Sequence, residues 1–79
     1  MANYKNRYTQ KTYEILFPLL GDIMAQNVLK IQTRKIGKNE EILVAMDMPE
    51  LAESIKVGLV IFVGSDVAKT IATNISLIK

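Results

Sequence analysis

Val57-Gly58-Leu59-Val60-Ile61-Phe62-Val63, stopping at Gly64-Ser65-Asp66, is the stretch on which the fold turns. Only Gly58 interrupts its apolar side chains, so whatever shape it takes, it has almost no face to offer to water. A short continuous apolar run is compatible with a buried strand or with a helix packed on several sides, and its flanks must decide. Upstream, Asp47-Met48-Pro49-Glu50 has an aspartate at a cap position and a glutamate three residues later, the pattern of a capping box. Proline in a first helical turn costs little, because its missing donor has no partner there. These flanks predict a helix from Met48 to about Val63, ended by Gly64, with Ser65-Asp66 capping a further helix over about 66–78. Val67, Ile71, Ile75 and Ile78 form a single stripe on that last helix, opposite Lys69, Thr73 and Ser76.

The alternative makes Val57–Val63 a strand in an α-β-α-β-α chain, with Ile42–Met46 as the other strand. Its connection, Asp47–Lys56, is shorter than the dozen or so residues of a parallel crossover. Two strands do not make a stable sheet unless two subunits pool them. The expected fold is therefore all-α, a compact and dimeric bundle of three to four helices. An α/β fold with a small sheet completed across a dimer is the alternative.

Working toward the N-terminus, Asn39-Glu40-Glu41 reads as the start of a short helix over 40–46, with two carboxylates beside the positive end of its dipole. Before it, Tyr13, Leu16, Phe17, Leu20, Ile23, Met24, Val28 and Ile31 recur at three- and four-residue steps. They predict one helix over 9–35 with a broad apolar face, capped by Thr9, stapled by Tyr8 and Tyr13, and stopped at Gly37. Pro18 and Gly21 lie inside it and predict a bend near Pro18, or a break into two helices. Residues 1–8 read as a flexible basic segment and residues 9–79 as a single helical domain.

Composition bounds the function. The chain has 79 residues, 49% of them apolar, no cysteine and no histidine. A domain this small hides only about 60% of the surface of its unfolded chain. It has neither disulfides nor thiolate or imidazole metal ligands to help. Self-association is the expected remedy, with a surface drawn from Phe17, Leu20, Met24, Val57, Val60 and Ile61. The N-terminus lacks a signal-peptide pattern, and no apolar run nears the ~20 residues that cross a bilayer. A cytoplasmic protein without membrane contact is expected. Asn74-Ile75-Ser76 matches a glycosylation sequon by chance in that setting.

Catalysis is not expected. Ser65 has no histidine to activate it, and Gly64-Ser65-Asp66 has one glycine and a carboxylate where a phosphate-binding turn needs several glycines and no negative charge. Glu40, Glu41, Asp47, Glu50 and Glu53 read as a solvated, dipole-matched surface. No cofactor or metal is implied.

Charge is divided unevenly. Residues 1–38 hold seven cations against Glu14 and Asp22, a balance of +5, whereas residues 39–79 hold three cations against six carboxylates, a balance of −3. The halves can pair with each other, or the basic half can meet an acidic partner. Lys30, Arg34 and Lys38 recur every four residues with Lys35 beside them, a candidate anion or nucleic-acid contact that would also offset a helix dipole. Tyr4, Tyr8 and Tyr13 among Lys5, Arg7 and Lys11 are a weaker hint of the same kind. Met24, Met46 and Met48 suit either a core or an adaptable binding surface. The leading expectation is a non-enzymatic protein–protein interaction or oligomerisation module, a homo-oligomer or the partner of another protein. A small nucleic-acid-binding protein is the alternative.

Overall fold

Two glycines in nearly the same backbone conformation organise the chain. The computed structural model describes residues 2–79, and among them it contains α1 (Arg7–Leu20), α2 (Asp22–Lys35), α3 (Met48–Val63) and α4 (Ser65–Ser76). A 3-10 turn, Ala45–Asp47, precedes α3, and no described residue lies in a strand, which removes the α/β alternative. Gly21 joins α1 to α2 at φ 81°, ψ 173°, and Gly64 joins α3 to α4 at φ 83°, ψ 164°. Each glycine N–H donates to the carbonyl four residues back (Phe17 and Val60, both 2.9 Å). Each glycine carbonyl accepts from the residue four ahead (Ala25, 3.0 Å; Ala68, 3.1 Å). That region of backbone space is essentially closed to side-chain-bearing residues. A Cβ at either position would meet nothing within 4 Å, so the demand for glycine is conformational and not spatial.

The first of these corners corrects the expectation of one helix over 9–35. Pro18 falls in the last turn of α1, where it removes the bond to the Glu14 carbonyl, but the helix continues to Leu20 and the break comes at Gly21. The apolar period does not run through that break. Tyr13 and Leu16 of α1 are buried, but on α2 the buried residues are Ala25, Leu29, Gln32 and Thr33, while Ile23, Met24 and Ile31 are exposed. α1 also begins two residues earlier than expected. Its N-cap is Asn6, whose Oδ1 accepts from the Tyr8 and Thr9 N–H groups at 2.9 and 3.1 Å, so neither a Thr9 cap nor a Tyr8–Tyr13 staple forms. Residues 2–6 run against this end of the body: the Ala2 N–H donates to the Tyr13 hydroxyl, and the Tyr4 N–H to Gln10 Oε1. Met1 lies outside the described residues.

No helix forms over 40–46. Asn6 Nδ2 donates to the carbonyls of Glu41 and Leu43, and Thr9 Oγ1 donates to that of Glu40 at 2.6 Å. These side chains engage the carbonyls that an α-helix would have used, and only Leu43 of the segment is buried. Asn39 makes a local turn instead, its Oδ1 accepting from the Glu41 N–H at 2.8 Å. α2 ends in a Schellman motif, with Lys38 N–H bonded to the Thr33 carbonyl and Gly37 N–H to that of Arg34.

α3 spans the residues expected of it, but its capping differs. The Asp47 carboxylate reaches back to the Val44 N–H at 3.0 Å and makes no bond into α3. Likewise Ser65 and Asp66 supply no side-chain cap to α4, whose N-cap is Gly64 itself. The buried stripe of α4 is Ala68, Ala72 and Ile75, with Ile71 and Ile78 partly covered and Val67 exposed, one step round from the stripe read in the sequence. Small residues there let α4 lie closely along α3, the most extensive helix contact in the molecule. The core gathers Tyr13 and Leu16 of α1, Leu29 of α2, Leu51, Ile55 and Leu59 of α3 and Ile75 of α4. Burying each of the larger of these side chains is worth about 1.5–3 kcal/mol.

Candidate interaction surface

The second half of α3 carries Glu50, Glu53 and Lys56 behind it and no charge from Val57 onward. Of its apolar run, only Leu59 is buried. Val57 is 64% exposed, Ile61 88% and Phe62 65%, and Val60 is exposed too. Helical spacing would place Phe62 on one face with Leu51, Ile55 and Leu59, yet those three are buried and Phe62 is not. α2 and α3 touch much more sparsely than α3 and α4, and a cleft of about 290 Å³ lies between them. Met24, Asn27, Val28, Ile31 and Gln32 line it from α2, and Ile55, Gly58, Leu59 and Phe62 from α3. None of these side chains is charged.

The chain exposes 4805 Å² in all, close to the ~4,800 Å² expected of a folded monomer of this mass. The surface is therefore ordinary in extent and unusual in kind. Met24 and Ile31 of α2 and Val57, Val60, Ile61 and Phe62 of α3, six large apolar residues, are all exposed, and exposed apolar surface of this kind marks interaction sites. Of the expected self-association residues, Met24, Val57, Val60 and Ile61 are exposed. Phe17 and Leu20 are half-buried against the core, with the Phe17 ring 5.7 Å from that of Tyr13. Ile31, Phe62, Gly58 and Gln32 were not singled out as surface residues. The one signal that pointed to them was Gly58 standing four residues before a large aromatic side chain.

Gln32 forms the cleft floor. It is 7% exposed, and the Ser54 hydroxyl donates to its Oε1. Its Nε2 meets no acceptor among the described residues and lies 3.0 Å from where a Cβ of residue 58 would stand.

The charged candidates are dispersed by comparison. Arg34 donates to Glu40 Oε1 at 3.0 Å and to the Lys30 carbonyl, and Lys38 Nζ lies 3.8 Å from Asp47 Oδ2. The basic half of the sequence thus meets the acidic half within one chain, through partly exposed surface pairs worth little each. Lys30 and Lys35 are exposed. Glu53 pairs with Lys56 at 2.9 Å, and no three acidic residues among those described come together as a metal-holding group. A more polar hollow lies where Tyr4 faces Arg34, Asn39, Glu40 and Glu41. The tyrosines do not form an exposed stacking platform. Tyr13 is buried, and Tyr4 packs on it with ring centroids 5.7 Å apart.

Tyr13 instead anchors a polar network at the first corner. Its hydroxyl donates to Asp22 Oδ1, which also accepts from Gln26 Nε2 at 2.9 Å. These two donors hold the Asp22 carboxyl below the usual aspartate range, while burial first, and then the Asp22 bond, push the Tyr13 hydroxyl above the usual tyrosine range. Burial, with Glu40 nearby, does the same to Tyr4.

No protein-family model, curated protein or solved structure matches this chain. No helix among the described residues is long and apolar enough to cross a membrane.

Proposed function

We propose that this chain is a non-enzymatic self-association module, a homodimer joined through the outward face of α3. The observation that carries the reading is the exposed apolar patch of Met24, Ile31, Val57, Val60, Ile61 and Phe62. A second copy is the occupant favoured by chemistry, because the patch is uncharged and a two-fold axis sets like against like. Ile61→Lys tests it. The side chain stands in water, so the fold should be unaffected, while light scattering at micromolar concentration should fall from the mass of two chains to that of one. A wild type with the mass of a single chain contradicts the proposal.

Nucleic-acid binding is the competing reading, supported by exposed Lys30 and Lys35. Arg34 and Lys38 face carboxylates of their own chain, which weakens it. A salt-sensitive mobility shift that Lys30→Glu abolishes would establish it, and no shift at low salt would remove it.

A further inference from the structure

The backbone N–H of Ala2 ends in the polar corner between α1 and α2. It donates to the Tyr13 hydroxyl at 3.0 Å, and that hydroxyl donates in turn to Asp22 Oδ1. The same N–H lies close enough to the Asp22 carboxylate to help keep it ionised. Ala2 is partly buried against the core cluster, so its nitrogen is held in place. Asp22, for its part, is a carboxylate without a cation. It enters none of the ion pairs among the described residues, and its two side-chain donors, Tyr13 and Gln26, both use Oδ1 and leave Oδ2 aside. The corner thus offers a full negative charge and an aromatic hydroxyl to a nitrogen that, as a peptide amide, supplies one proton and no charge.

We propose that this corner is a seat for a free amino end at Ala2, which makes the peptide bond before Ala2 a processing site. Water adds across that bond: the preceding residue leaves with the new carboxylate, and the Ala2 nitrogen, now an amine, takes a proton and becomes an ammonium. An ammonium has three donors where the amide had one. One keeps the Tyr13 hydroxyl, and the others are available to the Asp22 carboxylate as charge-assisted bonds, stronger than neutral ones. Tyr13 belongs to α1 and Asp22 to α2, so the pair ties residues 2–6 to both helices of the corner at once. Cleavage there completes the corner's charge balance.

The sign of one titration tests the seat. The chain is prepared to begin at Ala2, its amine is labelled with nitrogen-15, and the amine is titrated by NMR. Three ionisable groups face it: Tyr13 from α1, Asp22 from α2, and Tyr4, whose ring packs on that of Tyr13. Both tyrosines stay neutral through the neutral range, so Asp22 sets the sign. An ordinary α-amino group titrates at ~7.7–8.0; burial alone lowers that value, and a paired carboxylate raises it. The expected midpoint lies above the ordinary value, with roughly tenfold higher proton affinity, and Asp22→Asn should bring it back. If Asp22→Asn does not fold, the wild type unfolded in urea supplies the same reference. The chain beginning at Ala2 should also outlast the chain that retains Met1 in thermal unfolding. That advantage is present below the unfolded value of ~7.7–8.0 and is lost as pH rises through the higher folded one. An Ala2 amine at or below its ordinary value in the folded chain overturns the seat, and so does a rise that survives Asp22→Asn.

Discussion

At Gly21 and at Gly64 the chain turns with the same backbone angles and the same pair of hydrogen bonds, yet the two corners are filled by different chemistry. The first is knit by polar groups: Tyr13 and Gln26 both donate to Asp22, Ala2 joins through its N–H to the Tyr13 hydroxyl, and tilted aromatic rings pack in series from Tyr4 through Tyr13 to Phe17. The second has no such network. Ala68 and Ala72 let α4 press against α3, and the turn leaves Ile61 and Phe62 in water beside it. The same backbone device thus serves a closed corner whose groups are satisfied within the chain, and an open one whose apolar side chains are not. The open corner is where the proposed partner belongs.

The largest difference that mutation can probe is the one expected to vanish. Gly21→Ala and Gly64→Ala each force a side chain into a backbone region that costs on the order of 1–3 kcal/mol. Because a Cβ at either site meets open space, the two losses should agree within error in urea unfolding of a monomeric background such as Ile61→Lys. A much greater loss at one corner would show that its neighbours, and not only its backbone, demand glycine.

A smaller effect separates the corners by pH. Asp22 has a folded pKa below its unfolded value of about 4, so its contribution is present above that value and is lost as pH falls through the lower folded value. Tyr13 has a folded pKa above its unfolded value of about 10, so its contribution is present below that value and is lost as pH rises through the higher folded one. Asp22→Asn should flatten the acid limb of stability against pH, and Tyr13→Phe the alkaline limb. Asp66, at the second corner, is exposed and its side chain makes no cap to α4.

The bounds of α3 were legible because both signals are local: Pro49 opens it and Gly64 closes it. Pro18 and Gly21 offered a break into two helices as the alternative to a bend, and the break is what forms, but at Gly21 and not at Pro18; apolar residues recurring at helical spacing on both sides of the glycine hid its position. Only the φ of that glycine shows that the phase is reset. The segment from Asn39 to Asp47 could not be read at all from its own residues, because Asn6 and Thr9, more than thirty positions away, take its carbonyls. The candidate surface divides in the same way. An excess of apolar residues pointed to Met24, Val57, Val60 and Ile61, but the cleft arises from the separation of α2 from α3. That separation is a tertiary property with no periodic signature, and it brings Phe62 and Gln32 into play.

The claim that a second copy covers the α3 face is tested most directly by sedimentation equilibrium of the wild-type chain across the micromolar range. The account predicts a mass approaching twice the 8.9 kDa of one chain. A mass of one chain throughout would contradict it.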